Sequence, residues 1–119
     1  MSESKEYVSK TLENGSIHIS EEVVASIAAM AIKDVEGVYG LHTSNASKKN
    51  TKGIRLVISE DDEISIDCYI VALYGYSVIE VAKAVQDAVT SMVESTTGRK
   101  VLNVNVSISG ISLPRSAKK

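Results

Sequence analysis

The chain has 119 residues, 44% of them hydrophobic, and a formal charge of −2 at neutral pH, which is the composition of one globular domain with an ordinary core. It holds no Phe, no Trp and five Tyr, so the core is aliphatic and there is no aromatic platform for stacking single-stranded bases. The acidic balance leaves no electrostatic footprint for nucleic acid, and a lone cysteine, Cys68, excludes an internal disulfide.

Residues 1–14 are polar, lack a hydrophobic period and end in the turn signal Asn14-Gly15. They read as a flexible N-terminal arm, with Tyr7 and Val8 touching the body. No apolar run follows Met1, so no signal peptide is visible. The longest apolar stretch, Val23 to Ile32, falls well short of the roughly 20 residues that a transmembrane segment needs. A cytoplasmic protein is expected, reaching a membrane only peripherally and through a partner.

Ile17 and Ile19 flank His18 as in a short strand, with His18 turned away from the core and no residue at metal-ligand spacing beside it. Ser20 then reads as the N-cap of a helix predicted to Glu36 and stopped by Gly37. Glu21 and Glu22 put negative charge in its first turn, where the helix dipole favours it. Its main stripe is Val24, Ile27, Ala28, Ala31 and Val35, broadened by Val23 and Met30. A second strip, Ala25, Ala29 and Ile32, is assigned to packing on the other helix, with a partner interface as the alternative.

Val38 to Leu41 is a brief extended piece. The polar connection His42 to Gly53 carries Lys48, Lys49 and Lys52 but no glycine pattern of a phosphate loop, so a solvated loop is expected. Ile54, Leu56 and Ile58 alternate with Arg55, Val57 and Ser59 as a strand. Glu60 to Glu63 follows as a solvated hairpin turn, since its four adjacent acids lack the spaced ligands and glycine of an EF-hand.

The central strand is the clearest. Ile64, Ile66, Cys68, Ile70 and Ala72 alternate with Ser65, Asp67, Tyr69, Val71 and Leu73. Cys68 therefore reads as a small buried hydrophobe. At Tyr74-Gly75-Tyr76-Ser77 the period changes to that of a helix, with Val78, Val81, Ala82, Val85, Val89, Met92 and Val93 on one stripe. Ser77 and Glu80 read as its capping box and Gly98 as its stop. Leu102, Val104, Val106 and Ile108 then alternate with Asn103, Asn105, Ser107 and Ser109 in a half-buried strand, and 112–119 is a short basic tail. The predicted fold is an α+β two-layer sandwich over 15–111: a mixed sheet of three to four strands with both helices packed on one face.

Chemistry is sparse. No GxSxG, HExxH, CxxC or Walker-type loop occurs, so no catalytic residue, metal or cofactor is assigned. Ser77 and Glu80 occupy the free donors of their helix themselves, which leaves little there for an anion. Tyr69, Val71 and Leu73, on the outward face of the central strand, and Tyr74 and Tyr76 at its end form the candidate partner-binding set.

Several stretches carry a resemblance. Gly15-Ser16-Ile17-His18-Ile19-Ser20 precedes an alanine-rich helix, and Val35-Glu36-Gly37-Val38-Tyr39-Gly40-Leu41 follows it. Asp67-Cys68-Tyr69-Ile70-Val71 leads into Tyr74-Gly75, Ile79 and Val81, and Thr97-Gly98-Arg99-Lys100-Val101 into Val104-Asn105-Val106 and Gly110-Ile111. Over 15–111 the chain resembles the alkaline shock protein (Gls-type) family, in particular its YloU-like branch. It departs in the connection from His42 to Gly53, which is shorter and less glycine-rich than the family pattern. The resemblance implies a small cytoplasmic protein of Gram-positive bacteria, linked to envelope stress and to membrane-lipid and fatty-acid homeostasis. Such proteins act by association, and the resemblance supplies no catalytic residue. The expected function is a non-enzymatic protein-interaction module, self-association included. The competing reading is a binder of an acyl or phosphate-bearing metabolite at the Tyr74–Ser77 corner and the lysine loop.

Overall fold

A computed structural model of the chain describes residues 6–42 and 53–113. The elements run β1 (Tyr7–Leu12), β2 (Gly15–Ser20), α1 (Glu21–Lys33), β3 (Val38–Leu41), β4 (Ile54–Ile58), β5 (Ile64–Leu73), α2 (Val78–Thr97) and β6 (Val101–Ser112). The fold is α+β, with both helices on one face of a four-stranded mixed sheet.

β5 is the axis of that sheet. Its inward residues Ile64, Ile66, Cys68, Ile70 and Ala72 are fully buried, and the residues between them are half-buried. β6 runs parallel to it along its whole length. β3 and β4 both pair antiparallel with β5 and share its other side end to end, β3 against Ile70 to Ala72 and β4 against Ile64 to Cys68. They act as one edge strand interrupted opposite Tyr69. The His42 N–H donates to the Tyr69 carbonyl at 2.8 Å, and the Tyr69 N–H donates to the Gly53 carbonyl at 2.9 Å. Gly53 is required there: its φ is +81°, and a Cβ would lie 2.5 Å from the His42 carbonyl oxygen. The lysine-bearing segment 43–52 lies outside the described residues, as does the basic tail beyond Leu113.

The helices supply the second half of the core. α2 buries Val81, Val85, Val89 and Val93, a strict four-residue repeat that ends in Thr97. Val78 and Met92, predicted on that stripe, are at its margins and exposed. α1 buries Val24, Ala25, Ala28, Ala29, Ala31 and Ile32, so both of its predicted strips are internal. Val23 and Met30 are not: they are 48% and 63% exposed, because the sheet and α2 already cover the other sides of so thin a helix. Ile66, Ile70, Val85, Val89 and Val104 lie in one buried cluster, as their mid-stripe positions predict.

Both helix starts are capped. Ser20 Oγ accepts from the Val23 N–H and Ser77 Oγ from the Glu80 N–H, each at 3.3 Å, and Gly98 ends α2 in the left-handed conformation at φ +74°. Ser77→Ala is therefore expected to lower stability by about 0.5–2 kcal/mol with the fold retained, measured by urea unfolding. An unchanged midpoint would show that Ser77 does not cap.

The N-terminal region differs from expectation. Tyr7 to Leu12, read from sequence as arm, is a strand that pairs with β2 in a separate hairpin, and Val8 is 1% exposed within the core. The predicted strand around Ile17 thus joins this hairpin and not the main sheet. Alternation is weak in Tyr7-Val8-Ser9-Lys10-Thr11-Leu12 because a single side chain of the strand is buried.

Candidate functional site: the open face of the sheet

With both helices on one layer, the side chains between the buried positions of β5 face away from them. The pairing register sets them in rows across the sheet. Val57, Ser65 and Asn103 form one row, and Arg55, Asp67 and Asn105 the next. In that second row the Asn105 amide donates to the Asp67 carboxylate at 2.9 Å. Tyr69 stands beside Ser107 and opposite the interruption between β3 and β4.

The next row is Gly40, Val71 and Gly110. A Cβ added at either glycine would meet nothing within 4 Å, so Val71 stands in a trough that opens to both sides. Glycine in a strand often marks a bulge or a place where a ligand or another backbone approaches closely. Bulges adjust this row: β3 shifts register between Val38 and Gly40, and β6 shifts opposite Ile70 and Val71. The Tyr39 side chain is 61% exposed beside it. Leu73 and Ser112 close the face, and the Tyr74 N–H donates to the Ser112 carbonyl at 2.9 Å.

The predicted set is thus partly brought together. Tyr69, Val71 and Leu73 share the face and are half-buried, and Tyr74 projects at its end, 61% exposed. Tyr76 is elsewhere. Its hydroxyl donates to the Glu36 carboxylate at 3.3 Å, and it lines a hollow of about 270 Å³ with Ser77, Glu80 and Val81, on the helix side of the corner. Two carboxylates in that hollow oppose an anionic ligand. A second shallow groove, about 310 Å³, runs between the helices and is lined by Ala31, Asp34, Ala88, Ser91, Met92 and Ser95.

Among the described residues no three His, Cys, Asp or Glu side chains come together as a metal site. His18 lies on the exposed hairpin, its Nδ1 3.3 Å from Ser9 Oγ and its ring edge-on to Tyr7 at 4.7 Å. Burial, and secondarily the neighbouring Asp67 carboxylate, push the Cys68 thiol up to about 12, so it stays protonated and inert at neutral pH.

One cluster escaped the sequence reading. Asp62, assigned to a solvated turn, is 9% exposed and has φ +65°. Its carboxylate accepts from the Ser9 N–H at 3.0 Å and lies 3.6 Å from the Arg99 guanidinium. Arg99 in turn donates twice to the Ser9 carbonyl, at 3.0 and 2.6 Å. Both backbone groups of one β1 residue are held by side chains from two distant turns. The cluster is a structural clamp, and its one sequence signal is the arginine directly after the Gly98 helix stop.

A model of the alkaline shock protein 23 family, described as having a cell envelope-related function, matches residues 9–113. The chain belongs to the alkaline shock protein 23 family. This is the grouping that the sequence motifs resemble. Relatives within it include YloU of Bacillus subtilis (strain 168), itself uncharacterised, 35% identical over 82% of this chain and 88% of that protein. Spy1614 of Streptococcus pyogenes serotype M6, also uncharacterised, is 32% identical over 84% of this chain and 90% of its own. None of these descriptions names an enzymatic activity. Among solved structures, the MamM CTD superposes with a TM-score of 0.51 at 21% identity, over 76% of this chain and 98% of the other. At that identity the likeness shows the fold alone. No helix among the described residues is long and apolar enough to cross a membrane.

Proposed function

We propose that this alkaline-shock-family domain is a non-enzymatic interaction module of cell-envelope physiology, docking a protein partner on the open face of its sheet. The observation that carries the reading is the glycine-flanked Val71 trough, bordered by Tyr69 and Leu73. A flat polar sheet surface would need no such relief. Here an aromatic and two aliphatic side chains flank open space, the form that receives an apolar side chain of a partner. Tyr69 is the anchor, with Tyr74 at the rim. The proposal extends to envelope stress and to membrane-lipid and fatty-acid homeostasis, the roles implied by the family resemblance. Membrane contact would come through the partner.

The small-molecule alternative loses its support at the corner. Ser77 Oγ is engaged by the Glu80 N–H, and Glu36 and Glu80 line the hollow, which disfavours phosphate.

Replacing Tyr69 by Ser and Val71 by Thr together tests the module. The expected result is an unchanged circular dichroism spectrum with loss of the proteins that co-purify with the wild type from native extract, prepared with and without membranes. Undiminished co-purification by a folded double variant would show that the face is ordinary surface and the interface lies elsewhere, the groove between the helices being next to test.

A further inference from the structure

The two edges of the main sheet are treated differently. The β3–β4 edge carries Arg55 and is broken opposite Tyr69, both of which discourage another strand from adding to it. Between its two bulges, over residues 103–108, the β6 edge has neither feature. Val101 to Ser112 is twelve residues long and contains no charged residue and no proline. Among the described residues it pairs with β5 and no other strand. Its central part, Asn103-Val104-Asn105-Val106-Ser107-Ile108, is rich in β-branched side chains and alternates apolar and polar.

We infer that β6 is a self-association edge, on which a second copy of this chain adds its own β6 antiparallel about a two-fold axis, extending one sheet across both protomers. The pattern supports a copy as the occupant. In an antiparallel pair centred near Val106, Val104 opposes Ile108 on the helix side of the sheet. Asn105 then opposes Ser107 on the open side. Near a two-fold axis a charged residue would meet its own like charge. A twelve-residue edge without any charge avoids that conflict at every register.

The helix above the edge shows which backbone groups face outward. Gln86 of α2 reaches over β6 and donates its amide to the Val104 carbonyl at 3.0 Å, so that carbonyl points away from β5. An arriving strand displaces this amide or shares the carbonyl through its second lone pair. Ile79, two helical turns before Gln86, is on the same side of α2 and is 63% exposed. It borders the axis, where the neighbouring α2 covers it. Self-association at β6 is independent of the docking reading above, though pairing there would also join the two open faces into one surface.

Two variants test it. Because the Val104 carbonyl faces outward, so does the N–H two residues on; Val106→Pro removes an edge donor and leaves the β5 ladder in place. Ser107→Lys places like charges near the axis on an exposed position. Sedimentation over a concentration series should give a reversible dimer for the wild type and a dissociation constant at least about tenfold higher for each folded variant. Amide exchange of β6 should slow with rising concentration in the wild type alone. A wild type that stays monomeric at high concentration overturns the inference. So does a dimer unaffected by Ser107→Lys; if that dimer is instead lost in the Tyr69 and Val71 double variant, the copies meet face to face.

Discussion

Ile70→Ala is expected to cost about 2–5 kcal/mol in urea unfolding, the largest loss from any single truncation of β5. Ile70 is 0% exposed, sits at mid-sheet between Leu41 and Ile108, and belongs to the same buried cluster as Val85 and Val89. Neighbours on both sides are fixed by backbone pairing, so a cavity there cannot collapse. Val71→Ala, one residue on, provides the internal control. Its side chain stands half-buried in the open trough, and its loss should cost about 1 kcal/mol or less. If Ile70→Ala cost under about 1 kcal/mol, the faces of β5 would be reversed and the trough would be core.

Arg99→Ala is the second large effect, expected at about 1.5–3 kcal/mol. It removes both donors to the Ser9 carbonyl and leaves the Asp62 carboxylate, 9% exposed, without its 3.6 Å counter-charge. Arg99→Lys should recover only part of the loss, because an ammonium cannot reproduce the paired Nε and Nη contacts. The loss should concentrate in the hairpin. Faster amide exchange at Ser9 and at Glu21, whose N–H donates to the Glu6 carbonyl, would report β1 loosening from the body. A stability loss with unchanged exchange at those two amides would contradict the clamp.

β5 and α2 can be read from the sequence because each buries one regular stripe. Period two in β5 and the four-residue spacing of Val81, Val85, Val89 and Val93 have few other solutions. Where that regularity fails, so does legibility. β1 buries Val8 alone and is held by the Asp62 and Arg99 side chains, a contact between residues 53 and 90 positions apart that no local pattern records. Periodicity puts Val23 and Met30 in the core because α1 is apolar almost all round, yet two layers leave one of its sides uncovered. The face bearing Tyr69, Val71 and Leu73 is likewise visible from alternation. Its trough is not, because Gly40 and Gly110 become neighbours of Val71 only through two register shifts. Tyr76 leaves the set for the helix side because the chain turns into α2 directly after Tyr74.

The docking face is tested most directly by photocrosslinking in the native host. A photoreactive phenylalanine is placed at Tyr69, and, in a second version of the protein, at Met30, which is 63% exposed on α1. The open-face reading predicts discrete covalent adducts to a protein partner from position 69 that disappear when Val71→Thr is added, and none from position 30. Adducts from position 30 alone, with position 69 silent, would place the partner on the helices and contradict the open sheet face as the functional surface.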